Sequence, residues 1–204
     1  MSGLPSNRSH PLLSDRKGVI LNSWLDRNKR RLDKARLLLR PAVKDAGGAW
    51  ADLGCGDGIF TYLLATCLKA GSHLYAVDKE AYQLKSLQRN LSSLDLEVSL
   101  EPRLADFTQP LTLPPLDGLV MANSLHFNRR KERVLRQLVT LLEPGGRLVL
   151  VEYNTNRGNA AVPFPLDERE FLQLAPRIGL REARIVARAP STFLGEMYTG
   201  VAWK

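Results

Sequence analysis

The stretch Ala49-Trp50-Ala51-Asp52-Leu53-Gly54-Cys55-Gly56-Asp57-Gly58 limits the folds open to this chain more than any other. The apolar run Ala49 to Leu53 reads as a buried parallel strand. Glycines follow at 54, 56 and 58, and then apolar residues at helical spacing: Ile59, Leu63, Leu64, Cys67 and Leu68. Strand, glycine turn and helix make the ligand-binding corner of an open α/β sheet. Glycine lets such a backbone turn sharply and approach a ligand, because no Cβ stands in the way.

Two phosphate readings of this corner fail. The dinucleotide fingerprint needs its third glycine where this chain has Ile59, and no Gly-Lys-Ser or Gly-Lys-Thr follows to make a P-loop. Asp52 and Asp57 would also repel a pyrophosphate. An acidic glycine turn suits a ligand with positive charge, and Asp52 at the strand end can accept hydrogen bonds from an amine.

Downstream, strands and helices alternate. His73–Asp78, Val98–Leu104, Leu116–Ala122, Arg147–Tyr153, Arg181–Ala189 and Phe193–Trp203 read as strands. Helices are expected over Glu80–Leu94, Arg129–Leu142 and Asp167–Ile178, with Glu143-Pro144-Gly145-Gly146 ending the second. Asp78 closes the second strand 20 residues beyond Gly58, where an acid is placed to bind ribose hydroxyls. Upstream, two helices are expected, about 14–26 and 29–45, with Pro41 kinking or ending the second. Met1 to Leu13 reads as irregular.

The segment Asp52-Leu53-Gly54-Cys55-Gly56-Asp57-Gly58 resembles the first motif of class I S-adenosylmethionine-dependent methyltransferases, an acid followed by G-x-G-x-G. The resemblance runs from about Ala49 to the C-terminus. It implies a doubly wound, seven-stranded, mostly parallel α/β sheet whose last strand is antiparallel. It also implies S-adenosylmethionine as cofactor, and a division into a basic N-terminal helical segment, 1–46, packing on a methyltransferase domain, 47–204. Matched residue by residue, the cofactor would be held by Asp52, Gly54, Cys55, Gly56 and Gly58, by Asp78 with Lys79, and by Asn123. Asp106 would approach the adenine amino group and Phe107 cover the ring. Asn123-Ser124-Leu125-His126-Phe127 is similar to the family's fourth motif in its small-molecule form, and lacks the Asn-Pro-Pro-aromatic form of many nucleic-acid amino methylases.

A methyl on a sulfonium is already a good electrophile, so direct in-line transfer needs alignment more than a nucleophilic residue. His126 is the candidate base, although a packing role weighs more. Tyr153, Asn154 and Arg157, at the end of the fifth strand, are the candidate acceptor-binding residues. No metal-ligand spacing exists, and the two cysteines, Cys55 and Cys67, are not placed for a disulfide. With no leader and no membrane span read in the sequence, a cytoplasmic setting is expected.

The net charge of +8 is uneven. Up to Lys44, eleven Lys and Arg stand against three Asp, and the rest of the chain balances. A second basic run, Arg129, Arg130, Lys131, Arg133 and Arg136, opens a helix against the dipole rule, with Glu132 alone opposing it. Each reads first as a solvated helix face, with attraction to an anionic partner as the functional alternative. With Trp24 the lone aromatic of the N-terminal segment, base stacking has little support. A small-molecule acceptor, anionic to suit the charge, is therefore preferred. The alternatives are an RNA or protein acceptor gripped by the basic helices, and a cofactor-binding module without turnover.

Overall fold

Seven strands pair in the order β3-β2-β1-β4-β5-β7-β6 in the computed structural model, which describes residues 14–92 and 95–204, with side chains from Trp24 onward. In chain order the elements are α1 (Ser14–Val43), β1 (Ala49–Leu53), α2 (Ile59–Cys67), β2 (His73–Asp78), α3 (Ala81–Leu91), β3 (Ser99–Leu104) and β4 (Leu116–Ala122). A single 3-10 turn, Leu125–Phe127, precedes α4 (Lys131–Val139), β5 (Leu142–Tyr153), α5 (Glu168–Arg177), β6 (Arg181–Ser191) and β7 (Gly195–Trp203). The expected irregular Met1 to Leu13 lies outside the described residues.

β1 to β5 are parallel, and β7 inserts antiparallel between β5 and β6. The expected doubly wound sheet with an antiparallel last strand is what forms. Strand order reverses between β1 and β4, and ligands of open α/β sheets bind outside the strand ends at such a switch point. The glycine turn leaves β1 at that point.

Both sheet faces are covered, which is why the strands read as near-continuous apolar runs. Leu38, Leu39, Leu63, Leu64, Leu74 and Leu87 fill the layer beneath α1, α2 and α3. Leu119, Met121, Leu135, Leu138, Leu148 and Phe171 fill the layer beneath α4 and α5.

Two expectations are corrected. The N-terminal segment forms one continuous helix rather than two. Nothing between Asp26 and Lys29 breaks the pattern, and Asn28 Nδ2 donates to the Trp24 carbonyl at 3.0 Å instead of capping a new helix. Pro41 falls in the last turn, so its missing N–H and any kink disturb only the end of the helix, with Ala42 and Val43 alone following it. The Ala42 carbonyl there accepts from Arg147 at 3.1 Å.

The second correction concerns Glu143-Pro144-Gly145-Gly146, which lies within β5 as an irregularity rather than closing α4. Leu116 pairs with Leu142, but Gly118 pairs with Arg147, so these residues are looped out. The loop is held by Gly145 N donating to Lys204 O and Lys204 N to Gly146 O.

Candidate active site

β1 ends on Asp52 and Leu53, and the chain then turns through Gly54 (φ 80°), Gly56 (φ 54°) and Gly58 (φ 97°). All three are left-handed, a region that glycine enters without steric cost. Gly54 is also tightly enclosed, since a Cβ there would lie 2.5 Å from the Ser124 Cβ. The turn is fastened to β2 by Gly54 N and Cys55 N, which both donate to the Val77 carbonyl. Asp78 ties it further. Its Oδ2 accepts from Gly56 N and its Oδ1 from Glu80 N, each at 2.9 Å. Each carboxylate oxygen keeps a second lone pair for a ligand.

Asp52 is 1% exposed and its Oδ2 accepts from Thr61 Oγ1 at 2.7 Å. Burial pushes its carboxyl up to about 7, the Thr61 hydrogen bond opposes this, and the nearby Asp78 charge adds to it. Its Oδ1 is buried with no partner among the described residues, and so is Oδ1 of Asn123. Asn123 follows β4 at φ 54°, uncommon for a residue with a Cβ, with its N–H bonded to the Val151 carbonyl. A buried carboxylate oxygen and a buried amide oxygen, both unpartnered, line one cavity of about 480 Å³ with Gly54 and Gly56. Two orphaned acceptors of this kind call for a compact cation with several N–H donors.

A second cavity, of about 680 Å³, opens on the other side of the same turn. Asp78, Lys79, Tyr82, Asp106, Phe107 and Asn123 contribute to it. Gly54, Gly56, Gln83 and Asn123 line both, so the two form one cleft with a cation-seeking end and an end that offers an acid and an aromatic ring.

A family model for a methyltransferase domain matches residues 51–148, from β1 into β5. Residues 51–148 thus carry a methyltransferase domain, of the kind that the class I S-adenosylmethionine-dependent methyltransferases have. It is 31% identical over 163 residues to ribosomal RNA small subunit methyltransferase C of Chromohalobacter salexigens, which covers 77% of this chain and 43% of that protein. The chain thus spans less than half the length of this curated relative. In fold it is similar to the YcgJ protein of Bacillus subtilis, with a TM-score of 0.66 at 11% identity over 84% of this chain and 98% of that one. It is also similar to the N-methyltransferase NodS of Bradyrhizobium japonicum WM9, with a TM-score of 0.64 at 19% identity over 87% and 96%.

S-adenosylmethionine is the cofactor of this family, and the orphaned Asp52 and Asn123 oxygens fit its ammonium. The fold brings the residues expected to bind it, Asp52, Gly54, Cys55, Gly56, Asp78, Lys79, Asp106, Phe107 and Asn123, into the one cleft. Gly58 lies behind them as the residue before α2, against Leu87 and Leu91. Cys55 contributes shape rather than reactivity, because burial raises its thiol far from ionisation.

The acceptor-side residues divide. Tyr153 lines the 480 Å³ cavity and meets Phe193 edge-on at 5.7 Å between ring centres. Asn154 is occupied, with Nδ2 donating to Glu196 at 2.8 Å and Oδ1 accepting from Glu168 N at 3.2 Å. Arg157 is exposed and lines neither cavity. His126 is 2% exposed and also lines neither. Its Nδ1 lies 2.5 Å from Glu152 Oε2, while Glu152 Oε1 accepts from Leu125 N and His126 N. Because it lines neither cavity, the ring is not presented to an acceptor in the cleft. It fixes the turn that carries Asn123 and Ser124.

Glu152 had a legible signal, an acid inside an apolar strand that needs a buried partner. Arg31, Lys34, Phe60, Phe193 and Met197 also line the 480 Å³ cavity. They come from α1, α2 and the β6–β7 hairpin, and only the tertiary fold brings them to the cleft.

Proposed function

We propose that this methyltransferase transfers a methyl group to a small acceptor that is anionic or neutral. One observation carries the reading: the cation-seeking end of the cleft is a half-open cavity of about 480 Å³, small beside a nucleic-acid groove, with walls from α1 and the β6–β7 hairpin. When bound, S-adenosylmethionine supplies an electrophilic methyl on a sulfonium. The chain's part is to hold both ends of the cofactor. Asp52 and Asn123 take the ammonium, Asp78 the ribose hydroxyls, and Asp106 with Phe107 the adenine.

Phe60, Tyr153, Phe193 and Met197 give the acceptor an apolar wall, with Ser191 and Thr192 adding hydroxyls. Asp52 and Asp57 are the acids lining this cavity. Asp57 is paired with Arg31 at 3.0 Å and Asp52 faces the cofactor's ammonium, so a cationic acceptor finds no counter-charge. Burial and then the Glu152 charge raise the Tyr153 hydroxyl, which stays protonated near neutrality and donates rather than accepts. With no base presented, the acceptor brings its own lone pair. Alignment of two bound reactants is worth roughly 7–11 kcal/mol and needs no acid–base group.

An RNA acceptor is the second reading. It is favoured by the curated relative and by a groove at the start of α4 lined by Arg129, Arg130 and Arg133 beside the exposed Phe127. Incubating the protein and methyl-labelled cofactor with cell extract, then separating ultrafiltrate from retained RNA and protein, decides between them. A labelled ultrafiltrate product that separates from S-adenosylmethionine is expected, and label transferred to RNA alone would overturn the proposal.

A further inference from the structure

We infer that Lys34 of α1 binds the carboxylate of the cofactor's amino-acid end, which makes the basic N-terminal helix part of the cofactor site. The inference rests on the reading of the cleft as an S-adenosylmethionine site. An α-amino acid presents its ammonium and its carboxylate within a few bonds of each other. The ammonium's acceptors, Asp52 and Asn123, and the Lys34 side chain line the same cavity. Lys34 is half-buried, and among the described residues it has no hydrogen bond and no ion pair. The two acids of the cavity are otherwise engaged, Asp57 by Arg31 and Asp52 by Thr61 and the cofactor's ammonium, so a partly desolvated ammonium there is an anion site.

Its neighbour Arg31 has a different task. It grips Asp57 through two contacts, 3.0 and 3.4 Å, and Asn28 at 2.9 Å, which pins α1 to the glycine turn. Arg31, Lys34, Ala35 and Leu38 share one helical face at i, i+3, i+4 and i+7 spacing, and all four line the cavity. Pinning the helix through Arg31 therefore sets Lys34 one turn further on, over the cleft. Arg36, Arg40 and Lys44 line a separate hollow with Thr66 and Cys67, away from the cofactor.

The test is calorimetric titration of wild-type protein and of Lys34→Met with three ligands. These are S-adenosylmethionine, its decarboxylated analogue S-adenosylmethioninamine, and 5′-methylthioadenosine, which lacks the amino-acid end. Loss of one charge-assisted hydrogen bond predicts roughly tenfold weaker binding of S-adenosylmethionine to the variant. The other two ligands should bind both proteins equally, which also shows that the variant is folded. Lys34→Arg, which keeps the charge, should retain the preference for the carboxylated ligand.

Equal weakening for all three ligands would mean that Lys34 only supports the fold, and overturns the inference. Unchanged S-adenosylmethionine affinity, with weakened acceptor binding, would assign Lys34 to the acceptor and overturns it too. Wild-type protein that binds none of the three overturns the cofactor reading itself, and this inference with it.

Discussion

Asp52 is held in opposition to its surroundings. Moving its ionisation from 3.8 to about 7 means that the unliganded fold binds a proton the unfolded chain has already lost. Stability of the free protein should therefore fall as pH rises from about 4 to about 7, by roughly 4 kcal/mol in all. The ammonium of the cofactor requires the ionised carboxylate, so cofactor affinity should rise across the upper end of that window. Asp52→Asn should flatten the pH dependence of the melting temperature, stabilise the free protein at about pH 8, and weaken cofactor binding about 10- to 100-fold. Melting curves and titrations at several pH values check this, and affinity independent of pH would contradict it. Gly54→Ala tests the turn. Its Cβ would meet the Ser124 Cβ at 2.5 Å in a left-handed backbone, so a loss of about 1–3 kcal/mol is expected, against a smaller one for Gly56→Ala, where nothing lies within 4 Å. Asp52, Asp78 and Asn123 were legible in the sequence because each ends a strand and so carries its position in the local pattern. Lys34 and Thr61 were not, because only the packing of a helix over the turn gives them a role.

Among the elements, the turn after β4 depends on β5 more than on its own sequence. Glu152 supplies three acceptor contacts to it, two to backbone N–H groups and one to the His126 ring. Removing the ring leaves Glu152 Oε2 buried without a partner while Oε1 keeps its two backbone donors, at a cost of about 1–3 kcal/mol. His126→Ala should lower stability by that order and loosen Asn123. The check is chemical denaturation together with cofactor titration, and a variant as stable as wild type would remove the positioning role. α1 is held by different means. Trp24 is 5% exposed and meets Tyr62 edge-on at 6.0 Å. Trp24→Ala should cost about 3–5 kcal/mol and raise amide exchange along α1 before the sheet is affected. The apolar periodicity of α1 was readable from the sequence, but its continuity through residues 27 and 28 was not, since polar residues there served equally as linker or as helix surface. The looped-out 143–146 segment was likewise hidden, because Pro and two Gly read as a helix stop whether or not a strand resumes around them.

Over the whole molecule, positive charge gathers in two places with different surroundings. On α1 it meets the cofactor cleft through Arg31 and Lys34. Around α4 and α5 it is partly neutralised, with Arg136 and Arg177 both paired to Glu132 and Lys131 to Glu170. That pairing leaves Arg129, Arg130 and Arg133, in the groove at the start of α4, as the cations there that face a phosphate backbone without an ion pair among the described residues. Affinity for single-stranded RNA should accordingly be weak, with a log–log salt slope shallower than about −3, as expected for only a few phosphate contacts. A steep slope with tight binding would favour the RNA acceptor. The succession of strands followed from the spacing of apolar runs, and the doubly wound sheet from the family resemblance. The acceptor's identity did not, because its walls are contributed by α1, α2, β5 and the β6–β7 hairpin, which are far apart in the chain.

The central claim is that the corner after β1, with the acid after β2, holds S-adenosylmethionine. Titration calorimetry of S-adenosylmethionine into wild-type protein and Asp78→Ala tests it most directly. The account predicts one site in the wild type and a loss of about 10-fold or more in the variant, since two ribose hydroxyls lose their acceptor. No binding in the wild type, or equal affinity in the two proteins, would contradict it.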